Sequence, residues 1–333
     1  MTLLLQGDAL RVLRLLPDES VNTAASSPPY WGQRDYGVTG QIGRERAIDE
    51  YLQRLLAVYD EVKRVLRSDG TCWVNLGDKY QNNCAQLIPE RFAIGMQERG
   101  WILRSKVIWH KKTCMPESVK SRFTNDWEPI YFFAKSKRHF FCRQLEPYSP
   151  NTMTRCDRLV QRNETFDPSR HKEDSRNPSQ APFRVLQRIA KTLQVPGQTP
   201  NGMHVARVNG IRQDIFDVAG RNMRCVWALP TAQYRQAHFA VWPPQLVERI
   251  LRAGCPKGGT VLDPFVGSGT TLAVAEDLGC FGIGIDLNGD YLKLAEERVL
   301  AARVNRVRKM IKSKSANLAD LDSDQDKGRG VGS

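Results

Sequence analysis

The chain lacks several features that would assign it to a membrane, secreted or metal-binding class. It contains no run of about 18 apolar residues. The N-terminal segment MTLLLQGD carries no basic residue before Asp8. We therefore expect neither a transmembrane helix nor a signal peptide, and we predict a cytoplasmic protein without a membrane partner. The eight cysteines form no Cys-x-x-Cys pair and are not spaced with the five histidines as zinc ligands, so no metal site is predicted.

Basic residues are in excess and are concentrated in the middle of the chain. The 333 residues include 49 Lys and Arg against 36 Asp and Glu, a net charge of +13. Residues 135–224 hold 17 basic and 8 acidic side chains, a net of +9. Such an excess indicates a polyanionic partner, with an ordinary basic surface as the alternative. The stretch is interpreted either as a polyanion-binding insertion or as a poorly ordered linker, and its helical apolar spacing between Phe183 and Leu193 favours the insertion.

The regions on either side of this stretch alternate short apolar runs with amphipathic segments, which is typical of an α/β domain. Residues 49–66 place apolar side chains at helical spacing. Seven apolar runs are predicted as strands: TLLLQ, 21–25, TCWVNLGD, WILRSKVIWHK, PIYFFAK, GGTVLDPF and CFGIGIDL. The last helix is predicted to end near Val307, and residues 312–333 are predicted to be disordered.

A glycine-rich turn near the C-terminus connects a strand to a helix in the segment DPFVGSGTT, which begins at Asp263. Glycines let the backbone approach a ligand, and Asp286 at the end of the next strand can accept hydrogen bonds from ribose hydroxyls. The segment contains no Gly-Lys-Ser/Thr, and Leu272 replaces the third glycine of a dinucleotide motif. An acidic residue before the turn favours a cofactor with a cationic end, such as S-adenosylmethionine.

The second motif is Ser27-Pro28-Pro29-Tyr30, directly after a predicted strand. Two prolines hold the backbone extended, so that the Ser27 hydroxyl and the Pro28 carbonyl can both accept hydrogen bonds from one exocyclic amino group. Such bonds would favour a pyramidal nitrogen with a free lone pair, while Tyr30 stacks on the base. Taken alone, the motif is better explained as a proline turn or a polyproline ligand.

The two motifs, in this order, resemble those of the permuted class of DNA amino-methyltransferases, which modify cytosine N4 or adenine N6. The resemblance implies the methyltransferase fold, a doubly wound seven-stranded mixed sheet. It also implies circular permutation and a basic target-recognition insertion. The implied divisions are a catalytic half at 1–144, a target-recognition region at 145–225, a cofactor-binding half at 226–311 and the tail at 312–333.

The resemblance also assigns residues to roles. The implied catalytic residues are Ser27, Pro28, Pro29 and Tyr30. The implied residues for S-adenosyl-L-methionine are Asp8, His238, Asp263, Phe265, Gly267, Ser268, Gly269, Thr270 and Asp286. Arginines of the basic region are the candidates for contacts with double-stranded DNA: Arg155, Arg158, Arg184, Arg188, Arg207 and Arg212. The segment from Trp31 to Gly43 is either a mobile loop over the target base or an ordinary surface loop.

The first residue of the catalytic motif bears on the target base. In the resembled family, serine at this position is associated more with cytosine N4, and aspartate with adenine N6. Ser27 therefore favours cytosine N4, with adenine N6, an RNA or small-molecule methyltransferase and a non-catalytic DNA-binding relative as alternatives. Cytosine C5 is disfavoured because the chain has no Pro-Cys dipeptide. The resemblance implies a bacterial or phage protein that is either the partner of a separate restriction endonuclease or an orphan enzyme.

Overall fold

The computed structural model describes residues 2–114, 116–147, 149, 221–232 and 242–327, with side chains described as far as 311. The strands are β1 (Thr2–Gln6), β2 (Val21–Ser26), β3 (Leu66–Asn75), β4 (Tyr80–Gln81), β5 (Cys84–Ala85), β6 (Ile102–Lys111), β7 (Trp127–Ala134), β8 (Leu145–Glu146), β9 (Arg221–Asn222), β10 (Val226–Leu229), β11 (Thr260–Asp263) and β12 (Phe281–Asp286). The helices are α1 (Ala9–Leu13), α2 (Ile48–Val65), α3 (Ile88–Glu98), α4 (Pro244–Gly254), α5 (Thr270–Asp277) and α6 (Gly289–Lys327).

The main sheet is mixed and runs in the order β1-β12-β11-β2-β3-β7-β6-β10. Neighbouring strands are parallel except where β7 pairs with β3 and β6. The mixed α/β sheet is thus confirmed, but the predicted number of seven strands is wrong, because β10 is an eighth. Its sequence VWAL shows no alternation of polar and apolar residues. It is a strand because it pairs with β6, where Trp227 lies opposite Trp109, and β6 is more than a hundred residues away in the chain.

Helices cover both faces of the sheet. In β3, the Thr71 hydroxyl donates to the Gly254 carbonyl of α4 across 3.0 Å. The next residue, Cys72, lies in the buried cluster that contains Tyr59 of α2. Because side chains alternate between the two faces of a strand, α2 and α4 lie on opposite sides. The predicted amphipathic helix is confirmed, since the face of α2 that carries Tyr51 and Leu55 is fully buried.

The chain divides into two compact units, one of residues Met1–Cys142 with Cys225–Ser333 and one of residues Arg143–Arg224. In the described part of the second unit, β8 pairs with β9, and Glu146 forms ion pairs with Arg221 and Arg224. The six arginines predicted to bind DNA, and His238, lie outside the described residues.

The last helix, α6, continues to Lys327, whereas its predicted end lies near Val307. Residues 308–327 contain neither glycine nor proline, so nothing in this stretch of sequence ends a helix before Gly328. Within the described part of the chain, no helix is apolar over the length that a bilayer crossing requires.

Candidate active site

A cavity of about 430 Å³ opens at the carboxyl ends of β1, β2, β11 and β12. Its volume lies within the range of roughly 300–1,000 Å³ that is usual for small-molecule sites. The ends of parallel strands meet at one edge of a sheet, which places both sequence motifs on the same cavity. The predicted site residues that line it are Asp8, Ser27, Pro28, Pro29, Tyr30, Asp263, Phe265, Gly267, Ser268, Thr270 and Asp286.

The glycines of the turn between β11 and α5 have different structural roles. Gly267 and Gly269 both adopt positive φ angles, of 49° and 82°. A Cβ atom on Gly269 would come within 2.7 Å of Ala295 in α6, so this glycine permits close packing between helices. A Cβ on Gly267 would meet no atom within 4 Å. Gly269 is not among the residues that line the cavity, and its predicted contact with a cofactor stays a prediction.

The carboxylate of Asp286 lies at the end of β12 and is fixed by two backbone groups. Its Oδ2 accepts from the Gly267 amide at 2.9 Å, and its Oδ1 accepts from the Asn288 amide at 2.8 Å. Burial raises the pKa of Asp286 above its ordinary value, while these amides oppose that rise. A carboxylate offers about four acceptor positions. Asp286 thus keeps acceptor capacity toward the cavity for the hydroxyls of a ligand.

Asp263 is a second acidic group of the cavity and is only 2% exposed. Its Oδ1 accepts from the Phe265 amide at 3.0 Å, and its Oδ2 accepts from the Thr271 hydroxyl at 2.6 Å. Burial raises the pKa of Asp263 from its ordinary 3.8 to about 7. A cationic ligand would offset this burial, because a nearby positive charge favours the carboxylate form. The pair of acidic groups therefore fits a ligand that carries both a cationic end and hydroxyl groups, as S-adenosylmethionine does.

The raised pKa of Asp263 predicts a pH dependence of stability in the absence of ligand. The folded state keeps the Asp263 proton up to about pH 7, whereas the unfolded chain releases it near pH 4. The free energy of unfolding should therefore fall as pH rises through this window, by at most ~4 kcal/mol from this group. Urea denaturation at pH 5 and pH 8 should show a smaller fall for Asp263→Asn than for the wild type. Equal falls in the two proteins would contradict the prediction.

Three further predicted residues of the cofactor side already have partners within the protein. The hydroxyls of Ser268 and Thr270 accept from the Arg298 guanidinium at 3.2 and 2.7 Å. Asp8 caps α1, since its Oδ1 accepts from the Arg11 amide at 3.0 Å. These contacts orient the cavity wall, and a direct contact of the three side chains with a ligand stays a prediction.

The Tyr30 hydroxyl forms hydrogen bonds to a cluster of polar side chains. Its hydroxyl lies 2.9 Å from Glu128 Oε2 and 3.2 Å from Asn75 Oδ1, and it accepts from Ser27 at 3.4 Å. Burial, together with the charge of Glu128, holds the pKa of Tyr30 well above its ordinary value. The phenol therefore stays neutral, and its proton bonds to the cluster. In the same motif, the Tyr51 hydroxyl donates to the Pro29 carbonyl at 2.8 Å and so fixes the backbone.

Glu128, Asn75 and Lys111 were assigned no role by sequence reasoning, yet all three line the cavity. Glu128 Oε1 lies 2.6 Å from Lys111 Nζ, and its Oε2 accepts from Asn75 Nδ2 at 3.1 Å. Asn75 and Lys111 are the last residues of β3 and β6, and Glu128 is near the start of β7. A polar residue at the end of a predicted strand is a signal that could have found Asn75 and Lys111, whereas Glu128, near the start of β7, carries no such signal.

The segment from Trp31 to Gly43 forms another wall of the cavity, where Arg34, Tyr36 and Ile42 are among the lining residues. The ring of Tyr36 meets the ring of Tyr291 edge-on, with centroids 6.1 Å apart. The segment thus lines the same cavity as Asp286 and the motif from Ser27 to Tyr30, and its proposed movement over a target base stays a prediction.

The chain is similar in sequence and fold to known DNA methylases. A family model described as DNA methylase, N6_N4_Mtase, matches residues 21–297. The type II methyltransferase M.XycI of Xanthomonas campestris pv. cyanopsidis is 33% identical over 92% of this chain and 90% of its own length. M.Cfr9I of Citrobacter freundii is 32% identical over the same shares. The PvuII DNA methyltransferase, described as cytosine-N4-specific, has a TM-score of 0.53 at 18% identity and covers 92% of this chain and 93% of its own.

The last of these similarities, at its low identity, concerns the fold alone. The family match spans most of the chain, and both sequence relatives exceed 30% identity over nine-tenths of it. The chain therefore belongs to the N6_N4_Mtase family of DNA methylases.

Proposed function

We propose that this protein transfers a methyl group from S-adenosyl-L-methionine to the exocyclic N4 of a cytosine that is flipped out of duplex DNA. The family uses S-adenosylmethionine as its methyl donor. The observation that carries the proposal is that Ser27 and Tyr30 share one cavity with Asp263 and Asp286. A possible acceptor site for an amine and an acidic site for a cationic cofactor therefore face the same cavity.

On the cofactor side, the proposal assigns binding to two carboxylates. Asp286, held by the amides of Gly267 and Asn288, would accept hydrogen bonds from the ribose hydroxyls. Asp263 would provide negative charge toward the cationic amino-acid end, and the ring of Phe265 would supply an apolar contact. When bound, the cofactor supplies a methyl group that is electrophilic because it is attached to a sulfonium.

On the target side, the protein would raise the nucleophilicity of an aromatic amine. The Ser27 hydroxyl and the Pro28 carbonyl would accept from its two N–H groups, which favours a pyramidal nitrogen whose lone pair is no longer shared with the ring. The ring of Tyr30 would stack on the base and offset part of the energy needed to flip it, a few kcal/mol. Glu128 and Asn75 keep that ring in place through its hydroxyl. After transfer, the nitrogen releases a proton.

The preference for cytosine depends on Ser27. A hydroxyl is a weaker acceptor than a carboxylate, and the resemblance associates serine in this position with cytosine N4. Adenine N6 is the alternative, and it would use the same cavity, cofactor and hydrogen bonds. Both bases present an exocyclic amine next to a ring nitrogen, so the geometry of the cavity is compatible with either.

The proposal extends to the rest of the chain. Residues 145–225 would be the target-recognition insertion of a circularly permuted fold, since the catalytic motif precedes the cofactor motif along the chain. In this region Arg155, Arg158, Arg184, Arg188, Arg207 and Arg212 would contact phosphates or base edges of double-stranded DNA. Because the relatives are named type II methyltransferases, we place the protein in a restriction-modification system with a separate endonuclease.

The test is the identity of the methylated nucleoside. The full-length protein is incubated with S-adenosylmethionine and unmethylated genomic DNA, which is then digested and analysed by mass spectrometry, and the modified site is mapped by sequencing. We expect N4-methylcytosine. N6-methyladenine would contradict the proposed base and keep the reaction type. An absence of methylated nucleosides, combined with measurable cofactor binding, would favour a non-catalytic DNA-binding protein.

A further inference from the structure

The loop that connects β6 to β7 is described at residues 112–114 and 116–126, and it begins directly after Lys111, which lines the cavity. Lys111, the last residue of β6, and Glu128, the second residue of β7, both line the cavity. The Lys111 Nζ and Glu128 Oε1 atoms lie 2.6 Å apart. The loop therefore begins and ends next to the proposed target base. Lys112 and Lys120 are exposed cations of this loop.

Both ends of this loop are anchored on neighbouring elements. The Lys111 amide donates to the Asp126 carbonyl at 2.7 Å, which closes the base of the loop. At the start of the loop, directly after β6, the hydroxyls of Thr113 and Thr231 lie 2.9 Å apart, and the Lys112 amide donates to the Leu229 carbonyl at 3.2 Å. These contacts fix the two ends of the loop relative to β6 and β10.

The tip of the loop is also held, yet it presents a large apolar ring to water. The Arg122 guanidinium pairs with Glu117 at 2.5 Å and stacks 4.0 Å above the ring of Tyr80. Glu117 also accepts from the Asn125 amide at 3.4 Å. Residues on both sides of Phe123 are therefore fixed, whereas the Phe123 side chain is 97% exposed. A phenyl ring presented in this way lacks the burial that would normally stabilise it.

We propose that Phe123 is a wedge that enters the DNA base stack and fills the space left by the flipped target base. Proteins that distort DNA frequently insert apolar side chains between base steps, where the ring replaces a lost stacking partner. Lys112 and Lys120, exposed cations of the same loop, would contact phosphates of the distorted DNA. This inference rests on the proposed function, because it requires the target base to leave the duplex.

The test compares paired and weakened target sites in DNA that carries the mapped recognition sequence. In one duplex the target base is normally paired, and in the other it lies opposite an abasic site, where flipping is easier. We expect Phe123→Ala to lower kcat/KM for methylation of the paired duplex by ~10-fold or more and to change that of the abasic duplex by less than ~3-fold. Phe123→Trp should keep the wild-type behaviour on both.

The matched control is Val119→Ala, which removes another exposed apolar side chain of the same loop, 44% exposed. Val119→Ala should leave the rates on the paired and the abasic duplex unchanged. The Phe123 side chain is almost fully exposed, so Phe123→Ala should leave the thermal unfolding midpoint of the protein unchanged. Equal rates for Phe123→Ala and an active wild type on the paired duplex would overturn this inference alone. A loss of the same size on both duplexes would overturn it as well. A wild type that methylates no DNA would overturn the proposed function and this inference together.

Discussion

Replacing Ser27 and Tyr30 together by alanine is expected to lower the rate of methyl transfer by ~10²–10³-fold. Under the proposed mechanism, the change removes one of the two acceptors of the target amine and the ring on which the base stacks. Single-turnover methylation of DNA with the cofactor at saturation measures the effect. Cofactor affinity should stay within ~3-fold of the wild-type value, because the acidic groups at Asp263 and Asp286 are unchanged.

The individual variants separate the ring of Tyr30 from its hydroxyl. Tyr30→Ala should lose most of the stacking contribution, which is ~1–3 kcal/mol per base. Tyr30→Phe keeps the ring and loses only the bonds to Glu128, Asn75 and Ser27, so its rate should fall by only a few fold. Leu15→Ala, on a residue that is 82% exposed and outside the cavity, is the control for a change of apolar surface. A double variant with a rate within ~5-fold of the wild type would contradict the assigned roles.

Replacing Asp286 by alanine is expected to weaken cofactor binding by ~10²–10⁴-fold. Hydrogen bonds to a charged acceptor contribute about 1.5–3 kcal/mol each, and the proposed complex has two of them at this carboxylate. The change also leaves the amides of Gly267 and Asn288 without their acceptor, which loosens the turn that forms the cavity wall. Isothermal titration of the protein with S-adenosylmethionine, in the absence of DNA, measures the effect.

A matched control for Asp286 lies four residues further along the chain. Asp290 is an exposed carboxylate that pairs with Lys293, so Asp290→Ala removes the same charge without touching the cavity. It should bind the cofactor as the wild type does. If Asp286→Ala and Asp290→Ala bound equally well, Asp286 would have no direct contact with the cofactor.

Local patterns in the sequence were sufficient to predict the main elements. The apolar spacing of residues 49–66 predicts the helix found at Ile48–Val65, and each of the seven predicted strands is present. The two motifs follow strands in the sequence, and both lie on the cavity in the structure. These features could be predicted because the periodicity of a helix or strand, and the order of a motif behind it, are properties of neighbouring residues.

Other parts of the site depend on residues that are distant in the chain. Glu128, Lys111 and Asn75 meet only because β3, β6 and β7 are neighbours in the sheet, and nothing in the separate segments specifies that order. The same reason explains β10, whose four residues become a strand through pairing with β6. The need for glycine at 269 has the same origin, since a Cβ there would come within 2.7 Å of Ala295 in α6.

The sequence by itself determined the α/β class, the two motifs and the resemblance to DNA amino-methyltransferases, and the family match is consistent with that resemblance. Only the tertiary structure decided that the acidic cofactor side and Tyr30 face one cavity. It also decided that a partly buried carboxylate, Glu128, holds the Tyr30 hydroxyl, and that the Phe123 side chain is exposed to water. The physical reason is that a motif is encoded by adjacent residues, whereas a distance, a burial and a pKa depend on every element packed around the group.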